Sequence, residues 1–107
     1  MKFLVVCEGG AVRSVALASV LRWDFGQQAV AISGSKSDPE LVDLLSGWAD
    51  YIVVMWTPAV EKIRKKYAHK IRVFDIGPDI WLNSMHRDLL NKVGEQADKW
   101  KDAGWQL

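Results

Sequence analysis

The residues of this chain that could do chemistry lie close to its N-terminus, in the segment Cys-Glu-Gly-Gly-Ala-Val-Arg-Ser at positions 7–14. Cys7 is the only cysteine among 107 residues, and Arg13 follows it six positions later with two glycines between them. A thiolate is a strong nucleophile, and backbone N–H groups at a helix start and a guanidinium both stabilise it. The same groups bind phosphate. The spacing therefore indicates cleavage of a phosphate ester through a phosphocysteine.

The other residues of this segment have roles that follow from their chemistry. Gly9 and Gly10 permit positive φ and a close approach of the backbone to a ligand. Ser14 either donates to the sulfur or caps the following helix. The other loop residues expected to line the substrate site are Glu8, Ala11 and Val12. A structural cysteine in a glycine-rich turn, with Arg13 at the surface, is the alternative interpretation.

The elements that must position this loop alternate between two hydrophobic periods. Short apolar runs at 2–6, 28–33, 51–55 and 71–74 predict four buried strands. Helical spacing predicts helices over 14–25, from Asp38-Pro39 onward, from Thr57-Pro58 onward, and from Asn83 or Ser84 to about 103. This alternation predicts an α/β fold with a parallel sheet covered on both faces. We expect residues 1–107 to form a single domain.

Each helix after the first is expected to bury an apolar face. The predicted buried residues are Leu41, Leu44, Leu45 and Trp48 in the second helix, Val60, Ile63 and Tyr67 in the third, and Met85, Leu89, Val93, Ala97 and Trp100 in the last. The third helix would also carry a basic face of Lys62, Lys65, Lys66 and His69. We interpret that face as solvated, with an acidic partner or a phosphate-rich substrate as the alternative.

The predicted topology brings the reactive groups to one edge. In parallel sheets of this kind, ligands bind beyond the carboxyl ends of the strands. Cys7 ends the first strand, and Asp75 and Asp79 follow the fourth. Trp56 and Trp81 follow the third and fourth strands at the same edge. They either form a slot for a flat phenyl ring or simply cover the sheet.

Composition limits the classes of function. A net charge of +1 gives no electrostatic case for binding nucleic acid or an anionic membrane. A single cysteine is typical of a reducing compartment, and no apolar run approaches the ~20 residues of a membrane span. Cys7, His69 and His86 have no recognised metal-ligand spacing. We therefore expect a cytoplasmic protein without a metal or a cofactor.

Positions 7–14 resemble the phosphate loop of the low-molecular-weight protein tyrosine phosphatases, whose pattern is Cys, five residues, Arg, Ser. The order of elements agrees over nearly the whole chain, and positions 48–55 resemble the third strand of short prokaryotic and phage-type members. The resemblance implies a three-layer fold with parallel strands in the order 2-1-3-4. It makes Cys7 the nucleophile, Arg13 the transition-state clamp and Ser14 the partner of the thiolate. The implied substrate is a phosphorylated protein or a small aryl phosphate.

Cleavage of a phosphate ester also needs an acid to protonate the leaving oxygen. The family places this acid in an Asp-Pro pair after the fourth strand, and this chain has no such pair there. Asp79 is the preferred candidate, because Ile80-Trp81 follows it as an aromatic residue often follows the family's acid. Positions 85–87 also align with a Met-Asp-Pro segment of the shortest members, which makes His86 the second candidate. Asp75, Asp88 or no acid at all are the remaining alternatives.

Glu8 and the missing Asp-Pro pair after the fourth strand support a second hypothesis. The family usually has an uncharged residue in place of Glu8 and asparagine in place of Gly10. A carboxylate at the mouth of a phosphate site repels substrate unless it points away or pairs with a cation. The second hypothesis is therefore a catalytically silent phosphate-binding or protein-interaction module on the same fold. A phosphocysteine carrier is disfavoured by Arg13, and arsenate reduction by the absence of further cysteines.

Overall fold

The computed structural model describes residues 1–9, 12–74 and 85–102 of the chain. The elements in chain order are β1 (Lys2–Cys7), α1 (Arg13–Trp23), β2 (Gln28–Ser33), α2 (Pro39–Trp48), β3 (Tyr51–Val54), a first 3₁₀ helix (Thr57–Lys62), a second 3₁₀ helix (Lys65–Lys70), β4 (Ile71–Val73) and α3 (Arg87–Asp102). Within these residues the strands form one parallel sheet in the order β2-β1-β3-β4. This confirms the predicted fold class and strand order. None of the described helices is long and apolar enough to cross a lipid bilayer.

The two faces of the sheet carry two separate core clusters. Alternate side chains of a strand point to opposite faces. Phe3, Val5 and Cys7 therefore pack with α1 and α3, whereas Leu4 and Val6 pack with α2 and the 3₁₀ helices. All five of these residues are buried, so both faces of β1 are covered. This confirms the three-layer arrangement and directs the side chain of Cys7 towards α1.

Helix α2 starts as predicted but buries a different face. Asp38 Oδ1 accepts the N–H of Glu40 at 2.9 Å, and Pro39 is the first helical residue. The predicted apolar face is wrong at two of its four positions, because Leu41 is 42% exposed and Leu44 is 70% exposed. The buried positions of α2 are instead Val42 and Ser46, while Leu45 and Trp48 are half-buried against the second cluster.

The small side chain of Ser46 explains this orientation of α2. Its hydroxyl donates to the carbonyl of Val42 at 2.6 Å, so the group is buried with a hydrogen-bond partner. A small residue with a satisfied hydroxyl lets the helix lie close to the sheet, one turn after Val42. Leucines at other angles around the helix then remain at the surface.

Residues 57–70 form two 3₁₀ helices, so the predicted α-helix from Thr57 is wrong. Ile63 and Arg64 interrupt the segment in extended conformations, with ψ values of 131° and 142°. Side chains repeat every three residues in a 3₁₀ helix and every 3.6 in an α-helix. The four basic residues predicted to form a solvated face are all exposed, but they lie on two 3₁₀ helices and not on one α-helix. Ile63 is nevertheless buried, and Val60 and Tyr67 pack against the same second cluster.

Lys70 from this segment stabilises the end of α2. Its Nζ donates to the carbonyl of Ser46 at 3.0 Å, of Gly47 at 3.4 Å and of Ala49 at 2.7 Å. The last carbonyls of a helix have no partner within the helix and carry partial negative charge. A lysine there satisfies them and ties the second 3₁₀ helix to α2.

Helix α3 buries the predicted residues, except for the first. Leu89, Val93, Ala97 and Trp100 are buried at helical spacing, whereas Met85 precedes the helix and is 41% exposed. The helix begins at Arg87, and the predicted caps Asn83 and Ser84 lie outside the described residues. The ring of Trp100 packs edge-on against Phe74, with centroids 5.1 Å apart, which joins α3 to the end of β4.

Candidate active site

Cys7 is the last residue of β1, and its side chain is held by the first turn of α1. The thiol donates to Ser14 Oγ at 3.1 Å, and both residues are fully buried. Ser14 is the second residue of α1, so the chain turns back within the loop to bring a hydroxyl to the sulfur. In the thiolate form the same hydroxyl can donate to sulfur. The arrangement agrees with the sequence interpretation of Ser14 as a partner of the sulfur.

Arg13 is the first residue of α1 and lies over the adjacent strand. Its side chain is only 4% exposed, and Nη1 donates to the carbonyl of Met55, directly after β3, at 3.4 Å. The surface position that the alternative interpretation gave to Arg13 is therefore wrong. The sulfur and the guanidinium therefore lie at the carboxyl ends of β1 and β3, which are neighbouring parallel strands. Ligands bind at this edge in such sheets.

The last residue of β2 and the two residues after it hold the outer side of the loop. Gly34 N–H donates to the carbonyl of Cys7 at 2.7 Å. The carbonyl of Glu8 accepts from Ser33 Oγ at 2.7 Å and from Ser35 Oγ at 2.8 Å. The sequence interpretation missed both serines. Their position at the end of a strand that reaches the ligand edge was the signal that could have identified them.

Gly34 is required for this contact on steric grounds. A Cβ there would lie 2.9 Å from Ala59 Cβ, 3.1 Å from Trp56 Cε3 and 3.2 Å from Val6 Cγ1. Trp56 is half-buried and packs in the second cluster with these residues, so it covers the sheet, which was one of its two predicted roles.

We expect Gly34→Ala to lower the free energy of unfolding by about 1–3 kcal/mol, because the added methyl overpacks the second cluster. Urea denaturation of both proteins would measure this loss. Gly94→Ala is the matched control, since a Cβ in the middle of α3 would meet nothing within 4 Å. That variant should gain up to about 1 kcal/mol from helix propensity. Equal stability changes in the two variants would contradict the close approach at Gly34.

The predicted substrate-binding residues of the loop lie partly within the described chain. Glu8 is exposed and Gly9 is half-buried. Gly26 is the only described residue with positive φ, at 66°. Gly9 therefore does not adopt the positive φ that was one reason to expect a glycine there. Val12 is half-buried and packs against the first cluster. Gly10 and Ala11 lie outside the described residues.

Only two of the candidates for the general acid lie within the described residues. Asp75, Asp79 and the predicted binding residue Trp81 lie outside the described residues. Asp88 is exposed in the first turn of α3. His86 is also exposed, and its Nδ1 accepts the N–H of Asp88 at 3.2 Å. That contact gives His86 a structural role at the start of α3.

Comparison with known proteins gives different results for sequence and structure. No protein-family model matches the sequence, and no curated protein matches it significantly. The tyrosine phosphatase Wzb from Escherichia coli K30 in complex with phosphate is 14% identical, with a TM-score of 0.72 over 97% of this chain and 98% of that chain. Wzb from Vibrio vulnificus in complex with benzylphosphonate is 20% identical, with a TM-score of 0.70 over 95% and 97%. The chain has the fold of the low-molecular-weight tyrosine phosphatases.

A third structure agrees with this assignment of the fold. The Erwinia amylovora tyrosine phosphatase AmsI is 18% identical, with a TM-score of 0.67 over 95% of this chain and 91% of that chain. The likeness spans almost the full length of each protein. The resemblance first seen in the eight loop residues therefore extends to the low-molecular-weight tyrosine phosphatase fold as a whole.

Proposed function

We propose that this protein is a cysteine-dependent phosphatase that hydrolyses phosphotyrosine-like aryl phosphate monoesters. The observation that carries the proposal is the buried Cys7 Sγ beside Ser14 Oγ, on the edge where the buried Arg13 lies. A second support is the fold of the chain, which is similar to that of the tyrosine phosphatase Wzb. The substrate would be a phosphorylated protein or a small aryl phosphate, and the setting the cytoplasm.

In the first step, the Cys7 thiolate attacks phosphorus and forms an S–P bond as the P–O bond to the aryl group breaks. Ser14 stabilises the thiolate by donating its hydroxyl hydrogen. Arg13 and the backbone N–H groups of loop residues 8–12 hold the equatorial oxygens, whose charge grows in the transition state. Asp79 protonates the departing aryl oxygen.

In the second step, water attacks the phosphocysteine. Asp79, now a carboxylate, takes the proton from the water as a P–O bond forms and the S–P bond breaks. The products are inorganic phosphate and the Cys7 thiolate, so water is the only co-reactant and no cofactor takes part. Trp81 would pack against the phenyl ring of the substrate.

The test of the proposed function is turnover by the purified chain of p-nitrophenyl phosphate, phosphotyrosine and phosphoserine. Release of inorganic phosphate is expected from the two aryl esters and much more slowly from phosphoserine, because an alkoxide is the poorer leaving group. Trapping of the phosphorylated enzyme in acid, with mass spectrometry of the peptide that contains Cys7, would identify the intermediate. Failure to hydrolyse either aryl ester would overturn the proposal.

The exposed side chain of Glu8 favours one second candidate, a catalytically silent phosphate-binding module. No described residue forms an ion pair with this carboxylate, so its charge stays at the loop that would receive phosphate. Binding of inorganic phosphate or orthovanadate without turnover of aryl phosphates would support this candidate. Glu8→Gln should then strengthen phosphate binding.

The role proposed for Asp79 gives a prediction that depends on the leaving group. Asp79→Asn should lower kcat on phosphotyrosine by about 10²–10³-fold, as expected for loss of a general acid. The loss should be far smaller on p-nitrophenyl phosphate, because nitrophenolate departs without a proton. His86→Asn is the control, since asparagine can still accept the N–H of Asp88. The assignment fails if His86→Asn shows the leaving-group-dependent loss and Asp79→Asn does not.

A further inference from the structure

Two consecutive carbonyls, those of Cys7 and Glu8, accept hydrogen bonds that hold the loop after β1 on one side. The carbonyl of Cys7 accepts from Gly34 N–H at 2.7 Å. The carbonyl of Glu8 accepts from the hydroxyls of Ser33 and Ser35 at 2.7 and 2.8 Å, and from Ser35 N–H at 3.3 Å. Both carbonyls therefore point to the end of β2 and the residues that follow it.

This direction breaks the alternation of a strand. In a strand between two neighbours, the polar groups of successive residues point to opposite sides. The carbonyl of Val6 points to the β3 side, where it accepts Met55 N–H at 2.7 Å, and the carbonyl of Cys7 points to the β2 side. Regular continuation would direct the carbonyl of Glu8 to the β3 side. The serine hydroxyls bind it on the β2 side instead.

Because the peptide group is planar, the direction of each carbonyl also fixes the direction of the N–H that follows it. In a trans peptide the N–H points opposite to the preceding C=O, and the described peptide bonds are all trans. The N–H groups of Glu8 and Gly9 are therefore both directed away from the β2 side. They point to the side of β3, where Arg13 Nη1 contacts the carbonyl of Met55. Successive N–H groups on one side of a turn form an anion-binding concavity.

We propose that Ser33 and Ser35 are positioning residues that hold the Gly9 N–H towards the phosphate. This proposal rests on the proposed function for the identity of the anion. The hydroxyls of Ser33 and Ser35 bind the carbonyl of Glu8 and so fix the plane of the Glu8–Gly9 peptide.

The surroundings of this peptide explain why it needs such a restraint. Glycine has little intrinsic preference for one backbone conformation, and a Cβ at Gly9 would meet nothing within 4 Å. Glu8 is exposed, so its side chain provides no packing restraint. Ser33 Oγ also accepts the N–H of Lys36 at 2.9 Å, which leaves its hydroxyl hydrogen for Glu8.

The test compares phosphate binding and turnover in variants that differ by a hydroxyl. Ser33→Val combined with Ser35→Ala removes both hydroxyls, and Ser33→Thr keeps one in a side chain of the same shape as valine. The dissociation constant for inorganic phosphate, from titration of the folded proteins, should rise about tenfold in the double variant, which is less than the 10²–10³-fold typical of deleting an oxyanion donor. Ser33→Thr should bind as the wild type does. The kcat on p-nitrophenyl phosphate should follow the same order.

Two further measurements separate positioning from folding. The Gly9 amide signal in a nitrogen–proton correlation spectrum should shift with phosphate in the wild type and much less in the double variant. Ser37→Ala is the matched control, because the Ser37 hydroxyl makes no hydrogen bond to a described residue. Ser35→Ala alone, at an exposed position, should show a weakening of phosphate binding even if Ser33→Val fails to fold.

The outcomes distinguish this proposal from the proposed function. Unchanged phosphate affinity and turnover in Ser35→Ala and in a folded double variant would overturn the positioning role but leave the phosphatase intact. Weaker phosphate binding in the serine variants of a chain that hydrolyses no aryl ester would support the positioning role and overturn the phosphatase. A wild-type chain that binds no phosphate would overturn both.

Discussion

Replacing Cys7 by serine is expected to lower hydrolysis of aryl phosphates by about 10⁵-fold or more, the scale seen when an enzyme loses its nucleophile. A serine hydroxyl is protonated at neutral pH and needs a neighbouring base to attack phosphorus. The hydroxyl of Ser14 lies 3.1 Å from Cys7 Sγ, and it is not a base at neutral pH. Stopped assays of phosphate release from p-nitrophenyl phosphate would measure the loss.

Two measurements make the Cys7→Ser result specific to the chemical step. The variant should still bind inorganic phosphate, because Arg13 and the backbone of the loop are unchanged. Ser14→Ala is the matched variant, since it keeps the sulfur and removes only the hydroxyl 3.1 Å away. It should lose part of the activity, about tenfold, as expected for one hydrogen bond to a charged group. Turnover that survives Cys7→Ser would show that another group is the nucleophile.

Replacing Arg13 by lysine is expected to lower kcat by about 10³-fold, the scale of an arginine that stabilises phosphoryl transfer. A guanidinium presents two parallel N–H groups to two phosphate oxygens, whereas an ammonium offers a point charge. Arg13 is also buried and donates to the carbonyl of Met55, so its position is set by the protein. Steady-state kinetics on p-nitrophenyl phosphate would separate kcat from KM.

The matched control for Arg13→Lys is Arg22→Lys in the same helix. Arg22 Nη1 donates to the carbonyl of Ala29 at 3.0 Å, in the last turn of α1 and away from the carboxyl edge of the sheet. This substitution should leave kcat unchanged and cost little stability, because a lysine ammonium can also donate to a carbonyl. If Arg13→Lys retained more than about a tenth of the wild-type kcat, its proposed role in the transition state would be wrong.

Much of the fold was predictable from the sequence because its signals are local. The apolar run ending at Cys7 and the helical spacing after it predicted β1 and α1 to within two residues at each end. The Asp38-Pro39 pair predicted the start of α2, and the spacing from Leu89 to Trp100 predicted the buried residues of α3. The strand order came from the resemblance of the loop to a known family.

The orientation of α2 and the conformation of 57–70 could not be predicted in the same way. The leucines of α2 have a helical period, but whether Leu44 or Val42 meets the sheet depends on how close the helix approaches it. Residues 57–70 show a helical pattern, yet a 3₁₀ path lets Ile63 reach the second cluster and Lys70 reach the end of α2. Packing against other elements overrode local propensity at both places.

The sequence by itself determined which groups lie where β1 passes into α1: one thiol, one arginine and one serine at fixed spacing. Only the tertiary structure decided what holds that loop. Ser33 and Ser35 are more than twenty residues away from Glu8 along the chain, and β2 brings them beside it by pairing with β1. A local pattern can specify which groups a loop contains. Contacts between neighbouring strands decide which way its peptides point.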